Sequence, residues 1–126
     1  MHVNDLSSVI ISSAIEVHKT LGGPGLLEGL YEEALAWELT DRKIAVHRQS
    51  EVPVIYKGER LTYPLRLDLL VDNRIIVEVK SVAAYNAIFE AQLLTYLRLM
   101  DLRLGLVINF GEKMLKDGVH RVANGL

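Results

Sequence analysis

The stretch R-L-D-L-L-V-D-N-R-I-I-V-E-V-K, residues 66–80, consists of two apolar β-type runs joined by a short polar turn. Asp68 interrupts the first run, and Glu78 and Lys80 interrupt the second. Because side chains alternate between the two faces of a strand, Glu78 and Lys80 share one face and Val79 points to the other. Charged side chains are rarely buried unless they are paired or bind a metal ion. The stretch therefore predicts a β-hairpin with a polar site on one face.

The apolar residues of this hairpin select its register. A two-residue turn would mix apolar and polar residues on both faces, which a half-buried sheet does not tolerate. A three-residue turn at 72–74 instead gives one clean apolar face, with positive φ expected at Asn73 or Arg74. The predicted cross-strand pairs are Val71 with Ile75, Leu70 with Ile76, Leu69 with Val77, Asp68 with Glu78, Leu67 with Val79 and Arg66 with Lys80.

The polar face of the hairpin suggests metal-assisted phosphate chemistry. Carboxylates directly opposite each other on paired strands, with Cβ atoms about 4.5–5.5 Å apart, repel each other unless a cation lies between them. Mg²⁺ prefers oxygen ligands, often only one or two carboxylates, and it can activate water beside a phosphate. Lys80 could stabilise the developing charge or orient the attacking water. The alternative is an exposed face on which Asp68–Lys80 and Glu78–Arg66 form surface ion pairs.

Helical and strand patterns continue on both sides of the hairpin. Gly22-Gly23-Pro24-Gly25 ends the first predicted helix, and Pro64 suggests a bulge or an edge position in a long β-type run. A helix between two strands predicts a parallel pair with a right-handed crossover. The predicted helices span about 5–21, 26–42 and 86–100, and the predicted strands span 51–56, 60–71, 75–80, 103–109 and 119–122.

The composition of the chain indicates one globular domain, 1–126, because half of its residues are hydrophobic and the mean hydropathy is +0.21. A net charge of -2 argues against a strongly basic nucleic-acid coat protein, but a bound metal could still supply local positive charge.

The chain has no cysteine, which excludes disulfides, zinc–thiolate sites and cysteine nucleophiles. It also lacks a signal-peptide pattern and an apolar run of about 20 residues, so we expect a cytoplasmic protein with no membrane partner.

Two predicted helices contribute further polar candidates. Glu28 opens the second helix, where it could ligate a metal, orient a ligand-bound water, or simply support the helix N-terminus. Gln92 and Tyr96 are i, i+4 neighbours on a helix that should pack beside the Glu78–Lys80 strand. They could bind a phosphate or a base, or cap the sheet edge.

The order of these features closely resembles the GxxExxY protein family, which belongs to the PD-(D/E)XK nuclease superfamily. The resemblance covers residues 5–126. It implies an α/β (mixed α+β) fold with a restriction-endonuclease-like core, in which helices flank a mixed central sheet, and Mg²⁺-dependent hydrolysis of phosphodiester bonds. The matching elements are G-L-L-E-G-L-Y (25–31), Asp68, E-V-K (78–80), Q-L-L-T-Y (92–96) and G-L-V-I-N-F (105–110).

The resemblance also implies roles for individual residues. Asp68 and Glu78 resemble the metal ligands of the superfamily, and Lys80 resembles its catalytic lysine. Glu28 resembles the acidic residue of the first helix. Leu67 stands where many members have a proline, at a position that varies widely.

Substrate binding is the remaining inference from the sequence. Gln92 and Tyr96 resemble the Q-x-x-x-Y element of exonuclease-type members, which implies contact with the substrate. We expect DNA as the substrate before RNA, and Mg²⁺ as the cofactor with Mn²⁺ as a substitute. A non-catalytic module that binds nucleic acid or protein is the alternative. Affinity in a chain of net charge -2 would need a second subunit, as in a homodimer, or local basic residues, of which the candidates are Arg48, Lys57, Arg60, Arg66 and Arg98.

Overall fold

The framework of the protein, in a computed structural model that describes residues 1–126, is a five-stranded mixed sheet flanked by three helices. This architecture confirms the predicted mixed α+β fold with a central sheet between helices. None of the three helices combines the length and the apolar character needed to cross a bilayer. The helices are α1 (Val3–Thr20), α2 (Glu28–Asp41) and α3 (Ile88–Met100), and the strands are β1 (Val46–Glu51), β2 (Ile55–Tyr56), β3 (Glu59–Arg60), β4 (Arg66–Val71), β5 (Ile75–Lys80), β6 (Leu104–Asn109) and β7 (Val119–Ala123).

The strand order in the sheet is β1-β4-β5-β6-β7. Only β5 and β6 are parallel, and α3 connects them, as the helix between two strands predicted. Because these two strands run in the same direction, their carboxyl ends meet at one edge of the sheet, where Lys80 pairs with Asn109. We call this the carboxyl edge.

Apolar packing covers both faces of the sheet. On one face α1 and α2 pack through side chains such as Ile10 and Leu35 against Val77, all of them fully buried. On the other face α3 packs through Leu93 against Ile76. Each such side chain contributes about 1.5–3 kcal/mol of burial free energy, so α2 and α3 are held firmly on either side of the hairpin.

The strands before the hairpin differ from the prediction. The predicted strand 51–56 is divided, because β1 ends at Glu51 and only the short β2 follows. The predicted strand 60–71 is divided as well. A turn with positive φ at Lys57 and Gly58 closes the β2–β3 hairpin, and β4 begins only at Arg66. The break falls around Pro64, which has no amide proton for a sheet ladder.

The turn of the main hairpin has the predicted length. Leu69 pairs with Val77 and Val71 pairs with Ile75, which leaves three residues in the turn. Positive φ occurs at Asn73, as one of the two predicted options, and also at Asp72, whereas Arg74 does not adopt it. The two guanidinium bonds from Arg74 to the Asp72 carboxylate, at 2.7 and 3.0 Å, hold this turn closed.

The ladder between β4 and β5 ends at Leu69, so none of the three outer predicted pairs belongs to it: Asp68 with Glu78, Leu67 with Val79 and Arg66 with Lys80. Arg66 pairs with Glu51 of β1 and not with Lys80. Leu67 packs in the α3-side cluster and not on the face of Leu69, which corrects the predicted apolar face. Strict alternation therefore fails at Asp68, where the backbone hydrogen bonds between β4 and β5 stop.

Candidate active site

Asp68 and Glu78 meet at the place where the β4–β5 ladder ends. The Glu78 carboxylate Oε2 accepts a hydrogen bond from the Asp68 amide at 3.4 Å. The Asp68 carboxylate Oδ2 accepts one from the Val79 amide at 2.8 Å. The two side chains thus replace backbone acceptors between the diverging strands, and the fold itself forces both carboxylates into one small space.

The environment of Glu78 strongly disfavours its charge. Only 6% of the residue is exposed, and burial, followed by the charge of Asp68 and a hydrogen bond with its carboxyl group, raises the pKa of Glu78 to about 9. The Asp68 amide and the Lys80 ammonium oppose this shift but do not overcome it. Glu78 is therefore protonated at neutral pH unless a cation joins the pair.

One oxygen of this pair has no hydrogen-bond partner. Glu78 Oε1 is buried and unsatisfied, which is unusual because buried polar atoms are nearly always paired. Asp68 and Glu78 together offer hard oxygen donors, the ligand type that Mg²⁺ and Mn²⁺ prefer. The residues therefore fit a divalent cation that keeps several of its waters. No cluster of three or more Asp, Glu, His or Cys side chains is present to bind it more fully.

Lys80 lies beside this pair, two residues after Glu78 on β5. Its ammonium nitrogen is 4.6 Å from the centroid of the Phe89 ring, a distance typical of a cation–π contact. Tyr85 packs edge-on against Phe89, with 5.4 Å between ring centroids. Lys80 and Phe89 line an open groove of about 590 Å³, which also includes Gln92. The ammonium is thus held at the wall of this open groove.

The helix α3 places Gln92 and Tyr96 at the same site. Tyr96 is 9% exposed, and its phenol pKa is raised first by burial and then by the charges of Glu78 and Asp68. A hydrogen bond with the Gln92 side chain partly offsets this shift. The structure therefore brings Tyr96 to the carboxylate pair and places Gln92 beside Tyr96 and in the groove that Lys80 lines.

Glu28 and Arg66 make no contact with the carboxylate pair that compares with that of Tyr96. Glu28 is the first residue of α2 and is exposed, and it forms no group of three acids with Asp68 and Glu78. Arg66 is exposed at the start of β4. Neither side chain takes part in a hydrogen bond or an ion pair.

The acid on α2 that does approach Asp68 is Glu32. It is 5% exposed and accepts hydrogen bonds from Arg48 Nε at 3.1 Å and from Gln49 Nε2 at 2.8 Å. Burial and the Asp68 charge nevertheless raise its pKa. The sequence contained a signal that Glu32 faces the sheet, because this residue lies between Tyr31 and Leu35, which are both on the buried side of α2.

Tyr31, the tyrosine of G-L-L-E-G-L-Y, has a structural role. Its hydroxyl donates to the Gly23 carbonyl at 2.7 Å and accepts from the Leu26 amide at 3.2 Å. Its ring stacks on Phe110, with centroids 4.5 Å apart. Tyr31 therefore fixes the loop before α2 against the end of β6, at the carboxyl edge.

Asn109 holds the carboxyl edge together, a role that its pattern in the sequence did not lead us to predict. Its side-chain oxygen accepts from the Val82 and Gly111 amides, and its side-chain nitrogen donates to the Val82 carbonyl, each at 3.0 Å. The residue is fully buried. The available signal in the sequence for this role was that Asn109 is a polar residue at the end of the apolar strand G-L-V-I-N. This clamp ties the loop after β5 to the loop after β6.

Comparison with known proteins assigns the chain to a superfamily. No curated protein and no solved structure matches it. A family model described as the PD-(D/E)XK nuclease superfamily matches residues 4–122, a span that runs from α1 into β7 and includes every candidate residue of the site. The chain therefore belongs to the PD-(D/E)XK nuclease superfamily.

Proposed function

We propose that this protein is a metal-dependent nuclease that hydrolyses phosphodiester bonds in DNA at the Asp68–Glu78 pair. The observation that carries the proposal is the buried, unpartnered Oε1 of Glu78 beside a second carboxylate. Such an arrangement is costly in a folded protein unless a cation completes it. Membership in a nuclease superfamily supports the same interpretation.

The proposed cofactor is Mg²⁺, with Mn²⁺ as a substitute. Asp68 and Glu78 would hold it through their carboxylate oxygens. When bound, such an ion lowers the pKa of a coordinated water and neutralises charge on a phosphate. Exposed Glu28, at the start of α2, is proposed to orient a water and not to be a direct ligand, because it forms no metal-binding cluster with Asp68 and Glu78.

The remaining residues would act on the substrate directly. Lys80 would place its positive charge against the scissile phosphate from the wall of the groove. Tyr96 would remain a hydrogen-bond donor, since its raised pKa keeps the phenol protonated. Gln92 would contact the phosphate or a base, and Arg66, exposed at the start of β4, would contact the DNA backbone.

We also assign the chain to the GxxExxY group within the superfamily and propose that it acts as a homodimer. The motif residues Gly25, Glu28 and Tyr31 support the assignment, and Tyr31 has a defined structural role in the loop before α2. Two strongly exposed apolar side chains support the homodimer, because a second subunit could cover them. Leu27, just before α2, is 82% exposed, and Trp37, in α2, is 63% exposed.

A cleavage panel tests this function. Linear, nicked, branched and single-stranded DNA, together with RNA, are incubated with Mg²⁺ or Mn²⁺ and the wild type, Asp68→Ala or Lys80→Ala. We expect both variants to lose at least about 100-fold in rate, as when a group that stabilises the transition state is removed. Glu28→Gln should cost less, because its role is through water.

Lys43→Ala is the matched control for Lys80→Ala, because Lys43 is exposed and lies between α2 and β1, at the opposite edge of the sheet. It should cleave like the wild type. Equal cleavage by wild type and Lys80→Ala would show that the activity is a contaminant or that the site is elsewhere. Wild-type protein that binds nucleic acid but cuts no substrate with either metal would favour the non-catalytic alternative.

A further inference from the structure

A second groove at the carboxyl edge is lined by three lysines. It has a volume of about 510 Å³ and lies between the end of α1 and the segment that follows β6. We call it the lysine groove. Its lining consists of His18, Lys19, Gly22, Gly23, Lys113 and Lys116, together with the apolar residues Ile15, Met114 and Leu115.

The topology connects the lysine groove to the candidate active site. Lys80 pairs with Asn109 in the parallel ladder, and the segment 111–118 follows directly from that end of β6. A smaller groove formed by residues 24–27, 81–83 and Gly111 lies between the two regions along the chain. The residues that line the lysine groove thus adjoin, along the chain, those of the smaller groove, which in turn adjoin Lys80.

The charges in the lysine groove are not neutralised by the protein. None of Lys19, Lys113 and Lys116 forms an ion pair, although the chain as a whole has a net charge of -2. No acidic side chain lines the groove. The neighbouring acids in sequence are Glu16, Glu112 and Asp117, and none of them forms an ion pair with these lysines. A polyanion is the ligand that complements three such ammonium groups on one surface.

The segment that presents Lys113 and Lys116 is firmly anchored. His18 Nε2 donates to the Glu112 carbonyl at 2.9 Å. A Cβ on Gly111 would clash with the Val82 carbonyl oxygen, and one on Gly118 would clash with the Asn109 carbonyl oxygen, so both glycines are packed directly against backbone. Because the segment is fixed before any ligand arrives, little backbone conformational entropy is lost when its lysines contact phosphates.

We propose that the lysine groove binds the phosphodiester backbone of the nucleic-acid substrate, several nucleotides away from the bond that is cut. This inference rests on the proposed function, and it adds a second contact region on the same edge of the sheet. Three separated ammonium groups in an open groove suit successive phosphates of a polymer better than a single small anion. The groove would supply the positive surface that the net charge of the chain does not.

The test is binding without cleavage. A fluorescent duplex of about 20 base pairs, long enough to present many phosphates, is titrated with the full-length protein in EDTA, and the affinity is followed by anisotropy from low to moderate salt. We expect the triple variant K19Q/K113Q/K116Q to bind more weakly than wild type. The slope of log K against log salt should become shallower by about 2.7, because each phosphate that a lysine neutralises accounts for about 0.9 of the slope.

Lys43→Gln, which removes one lysine charge outside the groove, is the control, and it should leave the salt slope unchanged. Thermal unfolding of the triple variant at the wild-type temperature would show that the anchored segment is intact. A triple variant with the wild-type slope would overturn the proposal, as would a wild-type protein that binds no duplex even at low salt. Because no metal is present, these outcomes are separate from the cleavage panel, which tests the nuclease itself.

Discussion

The carboxylate of Asp68 accepts a hydrogen bond from the backbone amide of Val79. In turn, the carboxylate of Glu78, which precedes Val79, accepts a hydrogen bond from the backbone amide of Asp68. This reciprocal contact links the protonation of the acid pair to the backbone geometry of the hairpin. A metal ligand set is usually described by its side chains alone. Here the same two side chains also complete the hydrogen bonding between β4 and β5, so the stability of the fold and the readiness of the site for a cation depend on one another.

The stability of the metal-free protein should fall as the pH rises, because of Glu78. The pKa of Glu78 is about 9 in the folded protein against an ordinary value of 4.5. Between these two pH values the folded state holds a proton that the unfolded state has released. The contribution of Glu78 to stability is therefore greatest below pH 4.5 and decreases as the pH rises toward 9. The slope should reach at most about 1.4 kcal/mol per pH unit. Urea unfolding in EDTA from about pH 5.5 to about pH 8.5, within the window between the two pKa values, measures it.

Glu78→Gln is the control for this pH dependence, because the amide cannot titrate. The variant should lose most of the slope, while the part that comes from Glu32, whose pKa is also raised, should persist. Identical slopes in the wild type and Glu78→Gln would mean that Glu78 is ionised in the folded protein.

Binding of Mg²⁺ or Mn²⁺ should release a proton at neutral pH. Glu78 is protonated in the free protein and must lose that proton to act as a ligand. Calorimetry in two buffers with different ionisation enthalpies should therefore give about one proton released per cation, and the affinity should rise about tenfold per pH unit below pH 9. Glu78→Gln should show no coupled proton. Release of no proton by the wild type would place the cation elsewhere.

Removal of Arg48 should destabilise the protein through Glu32. Arg48 Nη2 lies 3.0 Å from Glu32 Oε2, and its loss leaves a buried carboxylate with only Gln49 as a partner. Arg48→Ala should cost about 1–2 kcal/mol of unfolding free energy, a figure reduced by the exposure of the guanidinium. Glu32→Gln in the same background should recover part of this loss. Unfolding of the two single variants and the double variant gives the coupling energy, and additive effects would show that the pair does not interact.

Two Gly→Ala substitutions should have opposite effects on stability. In Gly111→Ala the new methyl group would meet the Val82 carbonyl oxygen and disturb the Asn109 clamp, so we expect a loss of about 1–3 kcal/mol. In Gly29→Ala the methyl group meets nothing within 4 Å and replaces a helical glycine of α2, so we expect a gain of about 0.5–1 kcal/mol. Chemical denaturation measures both changes. Equal stabilities for Gly111→Ala and wild type would show that the loop after β6 can shift freely.

The local pattern of the sequence determined much of the fold. Alternating apolar residues set the three-residue turn and the pairing of Leu69 with Val77, because a slip of one residue would expose the core face. Helical spacing between two apolar strands determined α3 and the parallel β5–β6 pair. These features depend on residues close together in the chain, so periodicity alone predicts them. The same register predicted that Asp68 and Glu78 lie close together. They do, but through side-chain-to-backbone hydrogen bonds beyond the end of the ladder and not as a ladder pair.

The tertiary structure decided the parts that depend on how separate elements meet. Which acid of α2 approaches Asp68 is set by the rotation of that helix on the sheet, and it is buried Glu32, not exposed Glu28. The side on which Leu67 packs depends on where the β4–β5 ladder ends. The Asn109 clamp joins the loop after β6 to the loop after β5, and Asn109 is 27 residues from its partner Val82 in the chain. Each outcome depends on packing contacts between distant segments. A local signal, such as a glutamate on the buried side of α2, therefore does not determine it alone.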